Sequence, residues 1–184
     1  MLATPQDLAT LPGMADVDPA TAATLLQGAT AVVQGITGQR IIAVTGDTLD
    51  ILGTTESSLW LPQCPVTAVT SVELDGEPVT DWKRFGVRLW RCCGWARCAH
   101  EPSTVTVVYD HGYAPTDQGI QLAKSAALML AAGAAKSSPG VTSESIDDYQ
   151  VVYEKMAGRM EASPFLVAAL RKQYGRQVGL VKVG

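Results

Sequence analysis

The sequence predicts an α+β fold, a helical bundle with inserted antiparallel β-hairpins. Two patterns carry this prediction. Apolar residues recur at helical spacing along residues 19–37 and stop at Gly38. Further on, Val105, Val107 and Tyr109 occupy alternate positions, as they do in a half-buried strand. We expect long N-terminal and central helices and a short C-terminal helix.

The first residues predict two helices. Thr4 and Pro5 form a start signal, and Pro12-Gly13 ends this short helix. Asp18-Pro19 repeats the signal, and a second helix then runs to Gly38. Its predicted buried face consists of Ala22, Leu25, Leu26, Ala29, Val32, Val33 and Ile36. Its predicted polar face consists of Thr21, Thr24, Gln27, Thr30 and Gln34.

The middle of the chain predicts strands. We expect them at Ile41–Val44, Leu49–Leu52 and Leu59–Leu61, with a turn at Gly46-Asp47. In a further strand, Val69, Val72 and Leu74 alternate with Thr70, Ser71 and Glu73. Asp75-Gly76 predicts a tight hairpin, because the favoured two-residue turn needs positive φ angles.

A central helix follows the strand at residues 104–109. Gly112 to Pro115 breaks the strand, and Thr116 or Asp117 supplies a cap. The helix should end at Ser137, where Ser-Ser-Pro-Gly begins. Its apolar positions are Ile120, Leu122, Ala123, Ala126, Ala127, Leu128, Leu130 and Ala131.

Two motifs flank the central helix. Tyr109-Asp110-His111-Gly112-Tyr113 precedes it, and residues 140–149, which contain Ser-Glu-Ser-Ile, follow it. A strand-like stretch, Tyr149 to Tyr153, comes next. This order resembles the head-to-tail connector proteins of tailed bacteriophages, which are adaptor or head-completion proteins, and the resemblance covers most of the chain.

The resemblance implies a structural virion protein and no enzyme. In that family a dodecameric ring joins the portal protein to the tail or stopper and leaves a channel for DNA. The implied partners are further copies of the chain, the portal protein, a stopper or tail-completion protein, and genomic DNA that passes without sequence-specific binding. The implied location is the virion neck, after synthesis in the host cytoplasm. Two alternatives stay open: a stopper or tail-completion subunit of the same neck, and a small metal-binding enzyme.

The C-terminal helix allows two interpretations. Ser163 and Pro164 start it and Gly175 ends it, after a polar segment at residues 155–162. Its apolar face packs either on its own core or against a neighbouring chain. We expect a single connector domain over residues 1–184, in which the C-terminal segment at residues 155–184 either folds back on its own core or extends to a neighbouring chain. The candidate interface residues are Phe165, Leu166, Leu170, Arg171 and Tyr174, together with Tyr149, Val151 and Tyr153.

Two residues of the first motif are expected to shape a turn. Gly112 stands between a strand end and a capped helix, where a positive φ would penalise a side chain. Asp110 should bond turn amides, and His111 should either pack or face solvent.

Composition limits the other functions. The net charge of −4 disfavours a protein that grips nucleic acid by its phosphates. The N-terminus lacks the pattern of a signal peptide, and no apolar stretch predicts a membrane span. No Gly-x-Ser-x-Gly elbow or phosphate-binding glycine loop is present, and adjacent Asp147 and Asp148 would point to opposite faces of a strand. We predict no catalytic residue, no cofactor and no metal site.

The cysteines are the main candidates for a metal site. Cys92, Cys93, Cys98 and His100 invite a zinc interpretation, whereas Cys64 lies apart. Structural zinc sites usually pair C-x2-C knuckles, and adjacent cysteines chelate poorly, so we favour an ordinary hairpin tip. The tip would join a strand at Val87–Trp90 to the strand at Val105–Tyr109.

Overall fold

The computed structural model describes residues 1–98, 101–137, 156, 158 and 163–175. The chain forms two compact units. The helical unit comprises Met1–Ile42 and Pro115–Gly184, and the β unit comprises Ala43–Ala114. The predicted α+β class with antiparallel sheets is confirmed. The single connector domain stays a prediction.

The helical unit contains four described α-helices. They are α1 (Pro5–Ala9), α2 (Pro19–Thr37), α3 (Gln121–Ser137) and α4 (Pro164–Tyr174). A short 3-10 helix, Gln118–Ile120, precedes α3. Helices α2 and α3 pack against each other, and α4 contacts both of them.

The helix starts follow from local capping. Thr4 and Asp7 form a capping box, in which the Thr4 amide donates to the Asp7 carboxylate at 2.8 Å. Asp18 accepts from two first-turn amides of α2, and Gly38 ends that helix with φ +66°. The predicted start of α1 and both predicted bounds of α2 are confirmed, but α1 ends at Ala9, before the Pro12-Gly13 stop that the sequence predicted.

One face of α2 differs from the prediction. Thr30 was expected on the polar face, but it is buried, and Ile36 is only half-buried. The Thr30 hydroxyl donates to the Leu26 carbonyl at 2.7 Å and accepts from the Leu2 amide at 3.2 Å. These two bonds satisfy the hydroxyl, and a hydrogen-bonded threonine is tolerated in a packed interior.

In its described residues, the β unit has seven strands in two antiparallel sheets. They are β1 (Val44–Gly53), β2 (Ser58–Trp60), β3 (Val66–Leu74), β4 (Glu77–Pro78), β5 (Trp82–Phe85), β6 (Arg88–Arg91) and β7 (Ser103–His111). The strand orders are β1-β7-β3-β4 and β2-β6-β5. One core joins the inner faces of both sheets: Leu59, Leu61 and Leu89 meet Val72, Leu74, Val105, Val107 and Tyr109.

The predicted turn at Gly46-Asp47 is wrong. Residues 44–53 form one continuous strand, and the ladder to β7 shifts between Val44 and Asp47. Gly46, with φ +64°, forms part of this β-bulge. The separate strand at Ile41–Val44 is therefore also wrong. The Asp75-Gly76 hairpin is confirmed, with positive φ angles of 53° and 78° between β3 and β4.

The loop after β6 is not a hairpin tip, which corrects a second prediction. Strand β6 pairs with β2 and β5, whereas β7 pairs with β1 and β3, so this loop crosses between sheets. Trp95 anchors it: the residue is fully buried, its amide donates to the Thr54 carbonyl at 2.7 Å, and its indole donates to the Ser57 carbonyl at 3.2 Å. A β-carbon at Gly53 would overlap the Trp95 carbonyl, so glycine permits this approach.

Candidate functional site

The motif at residues 109–113 lies at the end of β7, where the strand meets the β1 bulge. The rings of Tyr109 and His111 point into the β unit, with centroids 5.1 Å apart. His111 is 1% exposed, and its Nε2 lies 3.0 Å from Asp47 Oδ2. The histidine therefore packs inside the β unit and does not face solvent.

The other motif residues fix the backbone. Asp110 Oδ1 accepts from the Gly46 amide at 2.8 Å, so it bonds the β1 bulge and not the amides of its own turn. Gly112 has φ +87°, in the region that glycine favours, and its amide donates to the Pro65 carbonyl at 2.9 Å. This arrangement gives the motif a structural role at a strand junction.

Helix α4 is held in the helical unit by its last turn. Leu170 is fully buried and Tyr174 is 2% exposed. The Tyr174 hydroxyl donates to the Gly119 carbonyl at 2.5 Å and accepts from the Ala123 amide at 3.3 Å. Ser163 occupies the N-cap position, but its side chain makes no capping hydrogen bond, contrary to expectation. The buried positions favour core packing for that face of the helix.

The predicted interface residues separate into four groups. Leu170 and Tyr174 lie in the interior of the helical unit, whereas Arg171 and Phe165 lie on its surface, with Phe165 88% exposed. Leu166 is half-buried. Tyr149, Val151 and Tyr153 lie outside the described residues, as does the second sequence motif.

Helix α3 presents its small residues to its own unit. Ala123, Ala126, Ala127 and Ala131 are fully buried there. The helix is also tied to α1, because Lys124 Nζ lies 2.7 Å from Asp7 Oδ1. The hydrogen bond from Lys124, helped by the Thr4 amide, lowers the pKa of Asp7 to about 2.

The outer face of the three-stranded sheet carries exposed aromatic rings. The strand register places Trp60, Arg88 and Phe85 side by side across β2, β6 and β5. The Arg88 guanidinium carbon lies 5.7 Å from each ring centroid, within cation-π range. Trp60 is 42% and Phe85 54% exposed. We name this the aromatic-basic face: Ser58, Trp60, Lys83, Phe85, Arg88 and Trp90.

The outer face of the four-stranded sheet carries carboxylates. Asp50 and Glu73 both pair with Thr106, so the two acidic residues flank it on the same side of the sheet. Asp110 lies on the same side of the sheet as Thr106, because the two residues are four positions apart on β7. Strands β1, β3 and β7 contain no lysine or arginine. We name this the acidic face: Thr48, Asp50, Leu52, Ser71, Glu73, Thr106, Val108 and Asp110.

The cysteines do not converge in the described part of the chain. Cys92, Cys93 and Cys98 are exposed, and Cys64 is partly buried, which raises the pKa of its thiol. Among the described residues, no three His, Cys, Asp or Glu side chains are grouped as metal ligands. His100 lies outside the described residues.

An open cavity of about 470 Å³ lies at one end of the β unit. Its two arginines are already paired: Arg91 lies 2.7 Å from Asp81, and Arg97 lies 2.7 Å from Glu77. The Arg91 hydrogen bond lowers the pKa of Asp81, and the Glu77 hydrogen bond raises the pKa of Arg97. Both arginine side chains that line the cavity therefore already form ion pairs with nearby carboxylates.

None of the helices in the described residues combines the length and apolar character needed to cross a membrane.

Comparisons with known proteins identify a shared fold. No family model matches the sequence, and no curated protein matches it. Seven chains of solved structures do match its fold. The chain shares its fold with chains of gene transfer agent (GTA) particles.

The first match is a chain in the neck of an empty GTA particle computed with C6 symmetry, with TM-score 0.51, 17% identity, and coverage of 77% of this chain and 80% of that one. The second is a chain in the virion of a native GTA particle, with TM-score 0.52, 18% identity, and coverage of 94% of this chain and 87% of that one. The third is a chain in the neck of a native GTA particle computed with C12 symmetry, with TM-score 0.50, 16% identity, and coverage of 94% of this chain and 90% of that one. These matches confirm, at the level of fold, the neck-protein similarity that the sequence motifs predicted.

Proposed function

We propose that this protein is a structural subunit of a virion neck, an adaptor that forms a ring between the portal protein and the tail or stopper. The observation that carries the proposal is the fold similarity, over 94% of the chain, to a chain in a GTA neck with C12 symmetry. The motif at residues 109–113 fits a structural protein, because Asp110, His111 and Gly112 hold the junction between β7 and the β1 bulge.

The proposed ring is dodecameric and encloses a channel for genomic DNA. A ring needs a heterologous interface, in which two different surface patches of each subunit meet and the rotation closes. The net charge of −4 suits a channel that DNA passes without sequence-specific binding. The protein would act by assembly, with no catalytic step.

We assign the portal contact to the exposed side of α4. Phe165 is a large apolar residue left almost fully in solvent, and Arg171 lies on the surface of the same helix. Exposed aromatic residues and arginines are the side chains that most often dominate protein interfaces. Phe165→Asp should therefore weaken portal binding and leave the fold intact.

Mass measurement of the purified chain, alone and mixed with the portal protein of its own particle, tests the proposal. We expect many copies of the chain on each portal ring. A chain that binds portal only after another protein has been added would instead be a stopper or tail-completion subunit. A chain that binds neither portal nor itself would overturn the neck assignment.

The control for this experiment is Gln27→Asp. Gln27 is exposed on α2, so the substitution adds the same negative charge to the helical unit on a different helix and leaves the attachment of α4 unchanged. It should keep portal binding while Phe165→Asp loses it. Equal losses from both variants would remove Phe165 from the interface.

A further inference from the structure

The two outer sheet faces of the β unit carry opposite charge. The aromatic-basic face contains Lys83 and Arg88, and strands β2, β5 and β6 contain no carboxylate. The acidic face contains Asp50, Glu73 and Asp110, and its three main strands contain no cation. Because the inner faces of both sheets share one core, the two charged faces point away from each other.

We propose that the aromatic-basic face of one copy docks on the acidic face of the next copy. This inference rests on the proposed ring, and it names the surfaces that would close it. A head-to-tail contact uses two different patches of each subunit, and the β unit offers such a pair with complementary charge.

Self-pairing of either face is disfavoured by the same charges. Two aromatic-basic faces would bring Lys83 and Arg88 of one copy against those of another. Two acidic faces would oppose Asp50 and Glu73 in the same way. Like charges held together at an interface oppose association, so the heterologous pairing is the one that the charge distribution favours.

The aromatic rings supply the apolar part of the contact. Trp60 and Phe85 flank Arg88, and the half-buried Trp90 lies on the same side of the sheet. The opposing face offers Leu52, which is 65% exposed, and Val108. Aromatic and arginine side chains that surround a desolvated centre are typical of the residues that dominate binding energy.

Paired charge reversals test the proposal in the full-length chain. Variant A carries Lys83→Glu and Arg88→Glu, and variant B carries Asp50→Lys and Glu73→Lys. Each variant alone presents like charges on both faces, so we expect its self-association to fall by about 100-fold in sedimentation equilibrium. A mixture of A and B should associate again, because each contact in the mixture has opposite charges.

Two controls separate a lost contact from misfolding and from a simple change in net charge. Thermal unfolding should stay near wild type for A and B, since the reversed residues lie on outer faces. The control variant carries Lys136→Glu and Lys172→Glu, which make the same change in net charge as variant A at exposed positions of the helical unit. It should associate as the wild type does.

Zero-length carbodiimide cross-linking gives a second readout that needs no variant. In a mixture of normal and isotopically heavy chains, we expect mixed-mass cross-links from Lys83 to Asp50 or Glu73. Rings that form with neither these cross-links nor any sensitivity to variants A and B would overturn this inference and leave the ring function standing.

Two other outcomes would also contradict the proposed docking of the aromatic-basic face on the acidic face. Loss of binding to double-stranded DNA in variant A, with unchanged self-association, would assign the aromatic-basic face to nucleic acid. A wild-type chain that neither self-associates nor binds portal would overturn this inference and the proposed function together.

Discussion

Helix α4 and the three-stranded sheet both carry large apolar side chains, but they place them differently. Leu170 and Tyr174 of α4 are buried in the helical unit, and the Tyr174 hydroxyl is bonded to backbone groups of Gly119 and Ala123. Trp60 and Phe85 of the sheet stay in solvent around one arginine. The inner face of α4 therefore belongs to the fold, whereas the outer face of the sheet, like Phe165 on the other side of α4, stays exposed.

Two tryptophans of the β unit give the sharpest test of this distinction. Trp95 is fully buried, so Trp95→Ala should lower the free energy of unfolding by about 3 to 5 kcal/mol. Trp60 is partly exposed, so Trp60→Ala should lower it by less than about 1 kcal/mol. Urea denaturation measures both. Similar losses would show that Trp60 supports the fold and is not simply a surface residue.

The same test applies within α4. Leu170→Ala should lower the free energy of unfolding by about 2 to 4 kcal/mol, because a buried leucine leaves a cavity when truncated. Phe165→Ala should change it by about 0.5 kcal/mol or less. If Leu170→Ala leaves the unfolding midpoint unchanged, α4 is not held by the core of the helical unit.

Two glycines should respond in opposite directions. Gly112→Ala places a β-carbon at φ +87°, and we expect a loss of about 1 to 3 kcal/mol. Gly35 lies inside α2 with no atom near its β position, so Gly35→Ala should stabilise the protein by about 0.5 to 1 kcal/mol. Chemical denaturation of both variants measures this contrast, and losses of the same sign would contradict it.

The contact between α1 and α3 should give the smallest effect and a dependence on pH. The Asp7 and Lys124 side chains are each about 30% exposed, so Lys124→Gln should cost only about 0.5 to 1 kcal/mol near neutral pH. Because the folded pKa of Asp7 is lowered from 3.8 to about 2, this stabilisation is present above pH 3.8 and is lost as the pH falls towards 2. A difference between wild type and Lys124→Gln that persists unchanged at pH 2 would contradict the assignment.

Elements with local signals were predicted well. Helices α1 and α2 begin where Thr4 and Asp18 cap them, and β7 follows the alternation of Val105, Val107 and Tyr109. Each of these signals lies within a few residues of the structure that it specifies. The Gly46 bulge was mistaken for a turn, because its geometry depends on pairing with β7 and on Asp110, 64 residues away.

The candidate surfaces were harder to find in the sequence. Trp60, Phe85 and Arg88 come together only through the register of three short strands, and no periodicity within one strand reveals it. The spacing of Leu170 and Tyr174 is the same for a helix on its own core as for one on a neighbour. Trp95 was missed because its burial requires the close backbone approach at Gly53.

The insertion of the β unit into the helical unit has a consequence for biosynthesis. The β unit is continuous from Ala43 to Ala114, whereas α1 and α2 are separated from α3 by that whole stretch. During translation, every strand of the β unit is synthesised before α3. We therefore expect the β unit to fold first. Until α3 has been made, the apolar face of α2 stays exposed and depends on chaperones or rapid synthesis for protection.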